Sequence, residues 1–135
     1  MKRAAVPAGI ALLALSVFAP PASSRGADAK PVLSHDVFFT LNDASPEAKQ
    51  KLVAACKKYL TGHDGAVSFS VGTLAGELSR PVNDKEFDVA LHVVFKDKAA
   101  HDVYQENPRH KQFIEENSAN WKKVRVFDSW VETGR

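Results

Sequence analysis

Cysteine is almost absent: the 135 residues contain only Cys56. One cysteine cannot form an intramolecular disulfide, so packing must stabilise the fold. Glycine-rich phosphate loops, nucleophile-elbow pentapeptides and internal repeats are also missing, which argues against nucleotide-binding proteins, α/β hydrolases and repeat proteins. The five histidines show no compact ligand spacing such as His-x-x-x-His. The sequence therefore predicts neither a metal site nor a bound cofactor.

Beyond the first 29 residues, the chain has no excess of positive or negative side chains. The chain carries 18 Lys and Arg against 16 Asp and Glu, and three of the basic residues and one of the acidic residues lie in that N-terminal stretch. The remaining chain is therefore formally neutral. A neutral domain has no electrostatic footprint for nucleic acid or an anionic membrane surface, so we expect neither as a partner.

The N-terminal stretch has the three parts of a secretory signal peptide. Met1–Arg3 is basic, residues 4–19 carry no charge, and a small, polar exit follows. The uncharged run is shorter than the about 20 residues that a membrane-spanning helix needs, which favours a cleaved peptide over the alternative of an uncleaved anchor. Cleavage after Ala22 or Ala29 fits, and Ala29 is preferred because it completes an Ala-x-Ala triplet.

A signal peptide cleaved after Ala29 would leave a linker and one domain in the mature protein. We expect a signal peptide at 1–29, a linker at 30–33 and one domain at 34–132. The mature protein would be secreted or periplasmic, with no membrane attachment after cleavage.

Hydrophobic periodicity and capping residues predict four strands and two helical regions. The predicted strands cover about 34–41, 66–74, 87–95 and 124–131. One helix begins after Ser45-Pro46 and ends near Gly62, and a second runs from Asp97 to about Asn117 with a break at Pro108. This β-α-β-β-α-β order is typical of the ferredoxin-like class, an α+β two-layer sandwich.

Alternation along the strands assigns their two faces. Odd-numbered residues, including Val67 and Phe87, are predicted to lie beneath the helices. The opposite face mixes apolar and polar residues, namely Phe38, Ala90 and Val94 with Asp36, Ser68, Asp88 and His92. A half-apolar face without helices is suited to docking another protein, and the alternative is a solvated surface with scattered apolar residues.

Residues 104–110, Tyr-Gln-Glu-Asn-Pro-Arg-His, resemble the Tyr-x-x-x-Pro-x-His segment of the stress-responsive dimeric α/β-barrel (Dabb) domain family. The opening strand with His35, together with Phe113, Trp121 and residues 126–128, is also similar to that family. The resemblance implies a homodimer in which two sheets pack face to face as a dimeric α/β barrel. It also implies a small ligand-binding pocket between sheet and helices, lined by His35, Val37, Leu91, Tyr104, His110, Phe113, Trp121, Val124 and Val126.

A plant polyketide cyclase of this family uses the Tyr and the His of that segment in an aldol-type ring closure. The resemblance therefore implies Tyr104 and His110 as a catalytic pair. His110 would take a proton from carbon next to a carbonyl, and Tyr104 would donate a hydrogen bond to the enolate oxygen. Gln105 and Asn107 depart from the cyclase pattern, which leaves the pocket shape open. In the alternative interpretation, Tyr104 packs in the core and His110 stabilises the helix break.

Three functions remain open from the sequence. The first is an exported homodimer that binds a small apolar ligand or has a stress-associated role. The second is a cofactor-free lyase or cyclase that uses Tyr104 and His110. The third is a haem-handling or monooxygenase-like barrel, which needs a histidine directed into the cavity.

Overall fold

The computed structural model describes residues 30–132, and the predicted signal peptide lies outside this range. The elements are β1 (Val32–Leu41), α1 (Pro46–Leu60), β2 (Ala66–Thr73), β3 (Val89–Phe95), α2 (Lys98–Glu106), α3 (Pro108–Asn117), a 3-10 turn (Ser118–Asn120) and β4 (Trp121–Val131). The antiparallel sheet has the order β2-β3-β1-β4. This arrangement confirms the predicted ferredoxin-like fold. Within 30–132, no helix combines the length and apolar character needed to cross a membrane.

Side-chain caps set where the helices begin, as predicted. The Ser45 hydroxyl accepts a hydrogen bond from the Ala48 amide at 3.2 Å, and Asp97 caps α2 in the same way. Asn107 ends α2 and caps α3, with Pro108 at the first helical position. Pro108 lacks the amide hydrogen that would continue α2, so the helix breaks there. The break places Tyr104 and His110 on two differently directed helices.

The core lies between the sheet and the helices. Every second residue of β1 from Leu33 to Leu41 is buried, and β3 contributes its own buried set. These side chains pack against α1 and the inner sides of α2 and α3. The largest fully buried side chains are Tyr104, Phe39, Phe95, Leu60, Leu91, Val89, Val93 and Cys56. Burial raises the pKa of the Cys56 thiol to about 12, which makes it an inert core residue.

The predicted faces of Val67, Phe87 and Asp88 are wrong because the strands are irregular at two places. A β-bulge between Ala66 and Ser68 turns Val67 outwards, where it is 60% exposed, and Ala66 packs on the core instead. The chain also bends at Asp88, whose amide donates to the Phe39 carbonyl and whose carboxylate accepts from the Leu41 amide. Phe87 consequently lies on the opposite face from the one predicted, and Asp88 faces Lys49 of α1.

The sheet surface turned away from the helices is here called the outer face. Phe38 lies at its centre, with the rings of Phe87 and Phe127 at 5.0 and 5.7 Å between centroids. Beside this aromatic cluster, His92 Nδ1 lies 2.6 Å from Asp36 Oδ1. No described helix covers this face. It therefore combines an apolar centre with polar neighbours, as the sequence predicted.

Candidate functional site

A cavity of about 180 Å³ lies between the sheet and the α2–α3 region. All the predicted pocket residues except Trp121 line it, namely His35, Val37, Leu91, Tyr104, His110, Phe113, Val124 and Val126. Phe39, Leu60, Gln105 and Ile114 complete the lining. The fold thus brings together side chains from three strands and two helices, which the family resemblance had implied would line one pocket. Their role in binding remains a prediction.

Trp121 does not line this cavity. A register shift between Thr40 and Leu41 places Trp121 opposite Leu41, at the start of β4. Its ring packs on Phe39 and Phe113, with centroids 5.0 and 5.6 Å away, and it borders a separate cavity of about 430 Å³ near the start of α1. Trp121 therefore supports the cavity wall from behind, and its predicted place in the lining is wrong.

Tyr104 supplies a neutral phenol to the cavity wall. Its side chain is 1% exposed, and its ring lies 4.6 Å from the ring of His110 between centroids. Burial, with a smaller contribution from nearby Cys56, raises the pKa of Tyr104 above its ordinary value of 10.0. The phenol therefore stays protonated at neutral pH, which makes it a hydrogen-bond donor and not a base.

His110 supplies an unprotonated nitrogen. Its Nδ1 lies 3.2 Å from the Gln105 carbonyl oxygen and donates to it, since a carbonyl can only accept. The other nitrogen, Nε2, then carries the lone pair. Burial lowers the pKa of His110 against the opposing effect of this hydrogen bond, and the nearby imidazoles of His35, His63 and His101 lower it further. A neutral His110 can therefore accept a proton near pH 7.

His35 is held by a carboxylate that the sequence analysis did not include. His35 and Asp128 are directly paired across β1 and β4, and His35 Nδ1 lies 2.7 Å from Asp128 Oδ1. A carboxylate that accepts from one imidazole nitrogen fixes the tautomer and leaves the other nitrogen free. Strand alternation could have identified Asp128. Val124 and Val126 were expected to line the pocket, and Asp128 is the next residue on the same face of β4.

His101 was also missed, and no sequence spacing pointed to it. It lies on α2 with its ring 4.9 Å from that of His35, and its Nε2 lies 3.2 Å from the Gln105 side-chain nitrogen. His35, His101 and Asp128 each offer one ligand atom, and these atoms lie within 4.8 Å of one another. Because the three residues come from β1, α2 and β4, only the fold brings them together.

His63 completes the group of imidazoles around Tyr104. Its Nε2 donates to the Tyr59 carbonyl at 2.8 Å, and its ring lies 4.9 Å from that of Tyr104. The turn after His63 depends on Gly65, which has a φ of 79°. A Cβ there would lie 2.4 Å from Ala100 Cβ, so only glycine allows this close approach to α2.

Comparison with known families matches residues 33–131 to the stress responsive A/B barrel domain, Dabb. The chain belongs to the Dabb family. The matched range contains His35, Tyr104, His110 and Asp128, so the whole candidate site lies within the Dabb domain. No curated protein matches the chain.

Solved structures with the same fold have diverse descriptions. A Dabb family protein from Mesorhizobium loti has a TM-score of 0.63 at 24% identity, covering 78% of this chain and all of that one. A dimeric ferredoxin-like protein of unknown function from Thermobifida fusca has a TM-score of 0.64 at 14% identity, covering 76% and 92%. A hydroxynitrile lyase from Passiflora edulis has a TM-score of 0.62 at 17% identity, covering 78% and 98%. At these identities the likeness establishes the fold of the Dabb domain alone.

Proposed function

We propose that this Dabb protein is exported, forms a homodimer, and binds a small ligand that is mostly apolar but carries one carbonyl or similar acceptor group. The observation that carries the proposal is the convergence of Tyr104 and His110 on an otherwise largely apolar cavity. A few directed polar groups in an apolar pocket are the usual composition of a small-molecule site.

The cavity limits the size of the ligand. Drug-sized ligands occupy pockets of about 300 to 1,000 Å³, and this cavity measures about 180 Å³. The wall formed by Val124 and Val126 is partly open, so a longer apolar chain can extend across β4. We therefore propose a small head group bound inside and an apolar remainder over these valines.

The outer face supports the homodimer. Phe127, at the edge of the aromatic cluster, is 51% exposed within one chain. Exposed aromatic rings beside Phe38 and Phe87 are suited to burial against a second copy, because contiguous apolar surface on a soluble protein usually marks an interface. The Thermobifida fusca protein, which has the same fold, is described as dimeric. The proposal of export depends on the basic, apolar and small-residue pattern of residues 1–29.

Ligand binding is tested on the purified dimer with short-chain ketones, aldehydes and matched alkanes, using the shift in thermal unfolding. We expect the carbonyl compounds to stabilise the protein more than the alkanes do. Tyr104→Phe removes the hydroxyl while keeping the ring, and should abolish this difference. Gln112→Ala, an exposed change on α3, is the control and should behave like the unchanged protein. An equal response to alkanes and carbonyls would refute the polar role of Tyr104.

A cofactor-free lyase or cyclase is the second candidate, because the protonation states of the pair fit this reaction. His110 Nε2 can take the proton from carbon next to the substrate carbonyl, and the electron pair moves to the carbonyl oxygen as an enolate. Tyr104 donates a hydrogen bond to that oxygen. The enolate carbon then attacks a second carbonyl of the same molecule, and the alkoxide formed receives the proton from His110. The Passiflora edulis lyase shows that the fold can hold a lyase.

A panel of linear polyketones tests this candidate with His110→Ala and Tyr104→Phe as a matched pair. His110→Ala removes the base and should lower kcat by about 100-fold or more. Tyr104→Phe removes only the hydroxyl and should lower kcat less, because the neutral base is still present. Unchanged turnover in both variants would exclude them as the catalytic pair. The haem-handling alternative receives no support from the geometry, since a macrocycle does not fit within about 180 Å³.

A further inference from the structure

We propose that His35, His101 and Asp128 form a binding site for a divalent transition-metal ion of the Zn²⁺ type. Two imidazoles and one carboxylate are a ligand set that such ions use in sites that retain an open position. The inference depends on neither Tyr104 nor His110, although His35 also lines the proposed ligand cavity.

The three ligands have a suitable arrangement. Their donor atoms lie within 4.8 Å of one another, while tetrahedral Zn²⁺ with bonds of about 2.0 to 2.1 Å separates its ligand atoms by roughly 3.4 Å. Only a small movement is needed: a shared ion would replace the proton between His35 Nδ1 and Asp128 Oδ1, which lie 2.7 Å apart and would separate slightly, while the longer separations shorten. Asp128 is the ligand free to make it, because its side chain is 47% exposed while that of His35 is held at 6%.

The surroundings of His101 favour a lone pair on Nε2, and a metal ion bound there would displace the hydrogen bond that the Gln105 amide now donates to it. The Gln105 side-chain amide is directed at His101 Nε2, and Asp102 Oδ1 lies 3.4 Å from Nδ1. A donor facing Nε2 and a carboxylate near Nδ1 favour the tautomer with its proton on Nδ1 and its lone pair on Nε2. Histidines that bind metals commonly have their other ring nitrogen hydrogen-bonded to a carboxylate in this way.

The outer face provides an internal comparison. His92 and Asp36 form a similar short contact, 2.6 Å between Nδ1 and Oδ1. In residues 30–132, however, the only group of three potential ligands is His35, His101 and Asp128. A third ligand distinguishes the proposed site from an ordinary histidine–aspartate pair, and three protein ligands are what a Zn²⁺ site with an open position requires.

The test is a Zn²⁺ titration of the chelator-treated mature protein, with affinity measured by competition against a chromophoric chelator. We expect one ion per chain. His101→Ala and Asp128→Asn should each weaken binding by at least about 10-fold. His92→Ala removes a histidine that also faces an aspartate and should leave the affinity unchanged. Circular dichroism of each variant checks that the fold is retained.

Co²⁺ provides a second readout, because its visible spectrum reports coordination directly. The unchanged protein and His92→Ala should give the same bands, and His101→Ala should lose them. The proposal is overturned if Zn²⁺ does not bind, if His101→Ala binds it as tightly as the unchanged protein does, or if His92→Ala weakens it equally. Tyr104→Phe should keep the Zn²⁺ affinity while losing the carbonyl preference, so the failure of one proposal is distinguishable from the failure of the other.

Discussion

Two histidine–aspartate pairs lie back to back on β1. His35 faces the helices and contacts Asp128 of β4, while its neighbour Asp36 faces outwards and contacts His92 of β3. The separations are nearly equal, 2.7 and 2.6 Å. In the first pair the imidazole is almost entirely buried, and in the second it is 43% exposed.

The surroundings decide what such a pair can do. The outer pair lies beside the ring of Phe38 with water on one side, where an ion pair contributes roughly 0 to 1 kcal/mol. The inner pair has Tyr104 and a second imidazole, that of His101, within contact range. Restricted water and additional polar groups strengthen electrostatic interactions there. The difference in surroundings agrees with the proposals of ligand and metal binding on the helix side and association on the outer side.

The largest expected effect tests how deeply the helix side is buried. Phe95→Ala removes a side chain with no exposed surface, so the free energy of unfolding should fall by about 3 to 5 kcal/mol. Urea denaturation at fixed protein concentration measures the loss. Leu78→Ala, in the exposed loop before β3, should cost under about 0.5 kcal/mol. Similar losses at the two positions would contradict the assigned core.

The second effect compares the two pairs directly. His35→Ala leaves a buried void beside Phe95 and Tyr104 and should lower the free energy of unfolding by about 2 kcal/mol. His92→Ala should lower it by less than about 1 kcal/mol, since its imidazole is partly hydrated in a single chain. The same urea experiment, run on both variants, decides the question. A larger loss for His92→Ala would show that the outer pair is the more deeply buried one in the assembled protein.

The third effect concerns association. Phe127→Ala should weaken the proposed homodimer by about 2 kcal/mol, or roughly 30-fold in the dissociation constant, because large aromatic side chains that become buried at an interface contribute most. Sedimentation velocity over a dilution series measures it. Val103→Ala, an apolar truncation at an exposed position of α2 on the other side of the sheet, is the control and should leave the dissociation constant unchanged. A monomeric protein at high concentration would remove the dimer from the proposal.

The comparison of the two pairs also shows how far sequence reasoning reaches. Periodicity and caps were enough for the element order, since Ser45, Asp97 and Asn107 all act locally on the next few amides. Phe87 and Val67 were assigned to the wrong faces because a bend and a bulge change alternation without a clear sequence signal.

The candidate site shows the same limit. Tyr104 and His110 could be grouped because they share one short segment and resemble a family motif. Asp128 was within reach of strand alternation. His101 was not, since its meeting with His35 depends on how α2 packs across the sheet, which no local pattern reports. Trp121 was wrongly expected in the cavity lining because the register shift that moves it depends on how β1 pairs with β4. The sequence of β4 alone gives no sign of that shift.

The smallest expected effect is a pH dependence of the free energy of unfolding, caused by His110 on the helix side. Burial lowers the pKa of folded His110, while in the unfolded chain the group should titrate near its ordinary 6.5. Above pH 6.5 the imidazole is neutral in both states, and the full stability is present. As the pH falls below that value, the unfolded chain takes up a proton that the folded protein binds only at lower pH, so the free energy of unfolding decreases until the folded pKa is passed.

His110→Gln should remove this part of the pH dependence. Urea unfolding between about pH 7.5 and pH 5 measures it as a difference between the variant and the unchanged protein, which cancels the contributions of the other histidines. The two stability curves should converge towards low pH if the glutamine itself destabilises the fold, because only the unchanged protein loses stability from His110 on acidification. Parallel curves would mean that His110 has the same pKa folded and unfolded. In that case the lowering by burial is offset by the hydrogen bond to Gln105, and His110 would enter the proposed lyase reaction as an ordinary imidazole, not one whose pKa the cavity depresses.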